Sequence, residues 1–563
     1  MNQPDRSGGL PTYLALGEPR FRDAALATLC REQGAVAAWR EALRRGGGST
    51  AATLADGEFA VALREPDGRV FLAVDRFAVR TLCYRVVGGT LQFAARADEL
   101  ADGASLDPQA LFDYLYSHVI PSPRTVFQGV FRLPPGHYAL WEGGKLEVAP
   151  YWVPEFDDTA PWSFEGEKLE FRQLLRNAVS AQLDGSKPAC FLSGGTDSST
   201  IAGMIGEVAG RPAATYSIGF EAEGYDEMEY ARIAARRFRS EHHEYYVTPD
   251  DLVAAIPMAA AHFDQPFGNS SALPAYYCAR VAREDGVSKL LAGDGGDELF
   301  GGNSRYATQR VFGWYDGIPA ALRNAVLEPL FGHPLVAKMP LLRKGTSYIR
   351  QAKVPMPDRM ETYNQLHRIG TREILNNAFL AAVDDAAGQR QRREVWQAAR
   401  TGNLVNRMLA FDWRYTLAET DLPKVCGATQ LAGIGVGFPM LDPGLLALAL
   451  RMPPNAKLKG LRLRWFFKEA LRGFLPDEII TKKKQGFGLP FGVWATRHAG
   501  LRKLAEDSLS SLGTRSIVRP EFVRMLLTEH LPAHPGYYGE MVWILMMLEQ
   551  WLRRHAPAYR LAS

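Results

Sequence analysis

The stretch KPACFLSGGTDSSTIAGMI, residues 187–205, constrains this chain more than any other. Its apolar run ACFL has the character of a strand buried in a parallel sheet, and STIAGMI continues with helical spacing. Between them lie Ser193, Gly194, Gly195, Thr196, Asp197, Ser198 and Ser199. Glycines let a backbone turn tightly and approach a ligand closely. The N–H groups that open a helix lack intrahelical partners and attract anions, and hydroxyls add hydrogen bonds to phosphate oxygens. Asp197 repels phosphate but suits a Mg²⁺ ion that bridges to it. The loop therefore reads as a cradle for pyrophosphate and its metal. The same residue types also make ordinary helix caps.

A second loop repeats the design. LLAGDGGDELFGG, residues 290–302, runs from apolar strand through glycines to acids. Ligands of doubly wound sheets bind beyond the carboxyl ends of the strands. Two such loops would place Asp197 and Asp297 around one Mg²⁺–pyrophosphate group, backed by Gly293, Gly295 and Gly296, with Asp294 and Glu298 as helpers. The plainer alternative is that these acids only cap and charge a helix start.

The surrounding pattern supports a parallel sheet. AATYSIGF reads as a strand, DEMEYARIAARRF as a helix, and HHEYYV as another strand; this is the strand–helix rhythm of an α/β fold. Beyond about residue 305 the chain turns helical. Residues 50–155 differ: GEFAVALREPDGRVFLAVDR and TLCYRVVGGTLQFAAR are hairpin patterns, and LDPQALFDYLYSHV is a helix opened by Asp107 and Pro108. The expected division is 1–155, a linker and helix over 156–186, and 187–563.

SGGTDSS followed by GDGGDELFGG resembles the synthetase domain of the asparagine synthetase superfamily, which belongs to the PP-loop ATP pyrophosphatases. TYSIGF, DLPKV, GFPMLD and the basic loop TKKKQGFGLPFGVW (481–494) match in the same order. DGEFAVAL, VFLAVDRFAVRTLCY and LPPGHYALW resemble the glutamine amidotransferase domain that precedes it. The resemblance implies an N-terminal, β-rich, Ntn-type α+β domain joined to a parallel α/β PP-loop domain with a helical extension. It implies that ATP adenylates a carboxylate, that pyrophosphate leaves, and that an amine attacks to give an amide and AMP. On this basis Leu192, Ile218 and Gly293 would line the adenine pocket, and Lys484 and Asp294 would be catalytic. ATP and Mg²⁺ would be required. In AHFDQPFGNSSALP (261–274), Asp264, Asn269 and Ser270 are candidates to meet the carboxylate substrate, and DWRYTLAETDLPKV adds Glu419 or Lys424.

The chain departs from the family at its start. Glutamine-dependent members carry a nucleophilic cysteine that initiator-Met removal exposes, whereas residue 2 here is Asn and the first cysteine is Cys30. An activated thiolate needs its base beside it, so the expectation is a retained scaffold without glutaminase activity. The acceptor would then be an amine already present in the substrate, as in lasso-peptide macrolactam cyclases, with a precursor peptide and a leader-processing protease as partners. Ammonia-dependent amidation of an aspartate-like substrate is the alternative. β-Lactam synthetases carry tyrosine at the position of Asp294, which counts against that chemistry.

Bulk properties exclude other classes. A net charge of +3 over 563 residues is too mild to make nucleic acid or a membrane surface the main partner. Five scattered cysteines show no zinc spacing and fit a reducing compartment, with cytoplasm as the default. MVWILMMLEQWL is too short and too interrupted to span a bilayer. The pair His242–His243 beside Glu241 and Glu244 looks metal-like, but strand neighbours face opposite sides, so a structural or surface role is expected.

Overall fold

In the computed structural model, residues 11–333, 343–482 and 488–561 are described. Eight strands come first: β1 (Tyr13–Phe21), β2 (Ala55–Arg64), β3 (Val70–Val74), β4 (Cys83–Val87), β5 (Thr90–Ala94), β6 (Phe131–Arg132), β7 (His137–Glu142) and β8 (Lys145–Pro150). They form one antiparallel sheet of order β1-β2-β3-β7-β8 and a second of order β5-β4-β6. Period-two alternation gives the larger sheet two apolar faces. Ala60, Ala62, Leu72, Val74 and Ala139 pack against Tyr84, Leu91 and Phe93 of the smaller sheet. Phe59, Val61, Phe71 and Tyr138 pack on the other side, against helices.

Those helices are α1 (Ala24–Gln33) and α2 (Ala35–Thr53), to which the sequence pattern assigned no element. The run Gly46–Gly48 opposes a helix, and Gly47 does break helical geometry at φ 73°. Packing overrides propensity here: Trp39 is fully buried, 5.0 Å from the rings of both Phe21 and Phe59. α3 (Pro108–Ser117) forms as the sequence predicts, its Asp107 cap accepting from the Gln109 N–H at 2.9 Å.

α4 (Phe164–Ser180) leads into a parallel sheet of β9 (Ala189–Phe191), β10 (Ala214–Phe220), β11 (Glu241–Val247), β12 (Lys289–Leu291) and β13 (Gly435–Gly437). Its order is β11-β10-β9-β12-β13. The chain therefore runs outward from β9 to β11 and returns to β12 on the other side, placing a topological switch point between β9 and β12. α5 (Thr196–Ala209), α6 (Met228–Phe238), α7 (Pro249–His262) and α8 (Ala272–Glu284) cover the sheet. β13 is a departure from the expected helical C-terminal region: GVG is too short to read as a strand and is fixed by pairing with Lys289–Leu291. The apolar helix Pro535–His555 is core, with Val542, Trp543 and Leu545 buried. No helix among the described residues is long and apolar enough to cross a membrane.

Candidate functional site

The two acidic loops follow β9 and β12, the strands that flank the switch point. In the first, Ser193 and Ser198 fold the loop back on itself: the Ser193 N–H donates to Ser198 Oγ at 3.1 Å, and the two hydroxyls lie 3.0 Å apart. Gly195 caps α5 with no side-chain bond, leaving the N–H groups of a fourteen-residue helix directed at the loop. Gly194 has φ +68°, and a Cβ there would stand 2.4 Å from the Ala231 N, so only glycine lets the loop seat against α6.

The loops touch. A Cβ on Gly293 would lie 2.9 Å from the Asp197 Cβ, and one on Gly296 would lie 2.1 Å from its Oδ1. The glycines of GDGG thus let the second loop close on the first, bringing Asp197 and Asp297 to one cation. That cation is Arg464, which the sequence reading did not single out. Its guanidinium donates to Asp197 Oδ2 at 2.6 Å, Asp297 Oδ1 at 2.9 Å and Thr196 Oγ1 at 2.8 Å, and it packs 3.9 Å over the Phe467 ring. Arg464 is 4% exposed. Burial alone would lower its pKa, but Asp197 and Asp297 outweigh it and hold the group charged. A lone arginine after a GLRL turn carries no sequence signal, so only the fold could reveal it.

A second ionic group stands beside the first. Asp294 lies 3.5 Å from Lys424 Nζ, which is 3.0 Å from Asp421 Oδ1. Burial raises the Asp294 pKa, with Lys424 opposing the rise. Burial would lower Lys424, yet Asp421 and Asp294 reverse the sign and raise it.

All these groups line a cleft of about 1370 Å³, larger than the 300–1,000 Å³ typical of small-molecule pockets. Leu192, Ser193, Gly195, Thr196, Asp197, Ser198, Ile218, Gly293, Asp294, Gly295 and Asp297 reach it. Asn269 and Ser270 also reach it, as does His118 from the end of α3. Burial pushes the His118 imidazole down to about 4, so it is neutral at pH 7. Gly194 and Gly296 act through the space they leave rather than as lining residues.

Three assignments need correction. Ser199 is fully buried and does not line the cleft, because the start of α5 turns it toward the core. Asp264 accepts the Ala97 N–H at 2.8 Å and lines a different cavity, about 750 Å³, at the seam between the two domains. Glu419 lines that same cavity, saturated by Arg132, Arg414 and Ser122. Lys484 lies outside the described residues. Its neighbour Lys482 pairs with Glu227 at 3.2 Å on the cleft wall. The histidines are structural: His242 bonds Thr215 at 3.0 Å, and His243 sits between Glu241 and Asp285 and stacks on Tyr216. No cluster of three or more metal-ligating side chains occurs among the described residues.

Comparison with known proteins names this arrangement. Residues 170–553 match the family described as asparagine synthase, and residues 40–152 match the glutamine amidotransferase domain. The chain belongs to the asparagine synthase family. It is 24% identical over 494 residues to asparagine synthetase [glutamine-hydrolyzing] 1 of Bacillus subtilis, covering 86% of this chain and 75% of that one. It is 26% identical over 510 residues to a putative asparagine synthetase [glutamine-hydrolyzing] of Mycobacterium tuberculosis, covering 88% and 76%. It is 24% identical over 513 residues to amidase chyE of Penicillium rubens, covering 81% and 73%. This family member is a carbon–nitrogen ligase that uses ATP to form an amide.

Two carboxylates from separate loops, meeting at one cation with a hydroxyl alongside, form the hard-oxygen set that Mg²⁺ takes when substrate phosphates complete its shell. The residues present fit that ion.

Proposed function

We propose that this ligase adenylates a side-chain carboxylate and joins it to an amine carried by the substrate itself, as a lasso-peptide-type macrolactam cyclase, without hydrolysing glutamine. What supports the second half is the burial of the cysteines, partial only for Cys30. Cys30, Cys83, Cys190, Cys278 and Cys426 all have their pKa raised, in every case with burial as the largest cause, Cys426 to about 12. A nucleophilic cysteine needs the opposite shift. Of the five, Cys30 and Cys83 belong to the N-terminal, amidotransferase-like part, and burial disfavours the thiolate of both.

In the cleft, the loop Ser193–Ser198 and the N–H groups of α5 would take the phosphates, and Leu192, Ile218 and Gly293 the adenine. Asp197 and Asp297 would hold Mg²⁺, which supplies charge neutralisation on the departing pyrophosphate. The carboxylate oxygen bonds to the α-phosphorus as pyrophosphate leaves. The amine then bonds to the acyl carbon, the acyl–oxygen bond breaks, and AMP departs with its electron pair. Asp294, poised by burial and Lys424, would accept the proton the amine loses. Lys484 would neutralise the phosphoryl charge on the resemblance alone.

Ammonia-dependent amidation of an aspartate-like acid is the second reading; its product type, though not its nitrogen source, is favoured by relatives named asparagine synthetase [glutamine-hydrolyzing]. The experiment incubates the full chain with ATP, Mg²⁺ and either a linear peptide bearing an internal Asp or Glu, ammonium, or glutamine, following AMP, pyrophosphate and product mass. A loss of one water from the peptide, with AMP formed, is the expected result. Glutamate released from glutamine would overturn the thiol argument, and ADP in place of AMP would overturn adenylation.

A further inference from the structure

Glu419 stands where a substrate residue was expected, yet the structure gives it another occupation. It is 3% exposed at the domain seam. Its Oε1 accepts from the Ser122 N–H at 3.1 Å and the Ser122 hydroxyl at 2.7 Å, and its carboxylate pairs with Arg132 and Arg414. Ser122 and Arg132 belong to the amidotransferase-like domain. Arg132 lies on β6, registered opposite Cys83 of β4, and also donates to the Ile120 carbonyl at 2.8 Å. Arg414 shares its helix with Glu419 and donates to the Ser122 carbonyl at 2.6 Å and the Ser122 hydroxyl at 2.9 Å, so Ser122 holds both side chains of that helix while Arg132 holds Glu419 from β6.

The helix they fix is unusual. Trp413–Asp421 is a π-helix, a wide-turn form that is rare and concentrated at functional sites. It continues directly into the helix Leu422–Ala432. Its first residue is tied to the second acidic loop, since Trp413 Nε1 donates to the Glu298 carbonyl at 2.9 Å. Asp421 ends it, and Lys424 follows one turn on, reaching Asp294. The seam and the cleft therefore grip the two faces of one element.

We propose that Arg132, with Ser122, is a positioning residue for the synthetase cleft: by holding Glu419 it sets the π-helix so that Lys424, paired with Asp421, meets Asp294. The amidotransferase-like domain then acts as the outer clamp of the ligase site. This rests on the reading of Lys424 and Asp294 as cleft groups and not on the identity of the carboxylate or amine.

The test is residue-resolved lysine labelling of the full chain with N-hydroxysuccinimidyl acetate under limiting conditions, read by peptide mass spectrometry. Arg132→Met should raise the labelling rate of Lys424 by about twofold to thirtyfold, the range of measured couplings through packed networks. Lys482, held by Glu227 on the same cleft wall, should keep its rate. Arg132→Lys should restore part of the protection. An unchanged Lys424 rate, or Lys424 and Lys482 rising together, would overturn the proposal. Should Arg132→Met fail to fold, Ser122→Ala removes one donor to Glu419, and the same Lys424-against-Lys482 contrast decides. A second arm follows AMP with L-aspartate and ammonium as probes. Arg132→Met should lower kcat while leaving the KM for ATP, and should cost nothing further in a Lys424→Met background; additive losses would overturn the proposal. Wild-type protein inactive on this pair would count against the ammonia reading alone, and the labelling would still decide the inference.

Discussion

The nucleotide cleft and the seam cavity are both lined by acids and bases, and they arrange them in opposite ways. In the cleft, Asp197 and Asp297 converge from separate loops on one guanidinium, with side chains 19% and 24% exposed. At the seam, Glu419 is 3% exposed and carries four partnerships, three on Oε1 and one on Oε2. Convergent, partly open carboxylates can exchange their cation for another ligand. Closed, multiply bonded ones hold structure. A charge is therefore read as chemistry or as scaffold from who reaches it, not from the cavity it lines.

The largest effect should come from breaking the seam. Glu419→Ala leaves Arg132 and Arg414 buried without their counter-charge, and removing one partner of a buried ion pair costs about 3–5 kcal/mol. Thermal or urea unfolding should show a loss of that size. A loss under about 1 kcal/mol would place the pair with ordinary surface salt bridges and erase the contrast with the cleft. In the cleft the effect moves from stability to rate. Asp297→Asn keeps the shape of the loop but halves the anionic pair, and AMP formation should fall by about 10²–10³-fold, the cost of removing one preorganised electrostatic group. The variant should unfold near the wild-type temperature, which separates it from Glu419→Ala.

What the chain spelled out locally, it spelled out well. The loops are legible because glycines, hydroxyls and acids fall together in one stretch at the end of an apolar run, and Asp107 and Pro108 announce α3 in the same way. Arg464 is illegible because its role is set by φ 54° and by loops far away in the chain. β13 is illegible for the same reason, being three residues that become a strand only beside Lys289–Leu291. Asp264 and Glu419 misled because nearness in sequence to cleft residues is not nearness in space: Asn269 and Ser270 reach the cleft while Asp264, before the Pro266 turn, bonds back to Ala97. α2 was hidden by glycines that tertiary packing tolerates.

A smaller effect would sharpen the cleft side of the comparison. In Arg464→Met the two carboxylates lose their shared guanidinium and face each other. Mg²⁺ should then stabilise this variant more than the wild type, by about 2.7 kcal/mol when the ion is at a hundred times its dissociation constant. Calorimetry with and without the ion, in the absence of nucleotide, reads this without any assay of turnover. Equal responses in variant and wild type would mean that Asp197 and Asp297 converge on arginine alone.

The smallest effect is expected at Asp264, and it tests the seam from its other wall. Asn keeps an oxygen that can accept the Ala97 N–H, so the hydrogen bond survives and only the charge is lost. That charge is one of those that support Arg132 against its own burial. With Glu419 still in place, Asp264→Asn should cost about 1 kcal/mol or less, the worth of a secondary charge partner. AMP-forming turnover should stay within about twofold of wild type, since a change below about 0.4 kcal/mol in the barrier gives no more. Turnover falling tenfold while stability holds would mean that the carboxylate substrate is reached from the seam after all, and the division between a chemical cleft and a structural seam would have to be redrawn around Asp264.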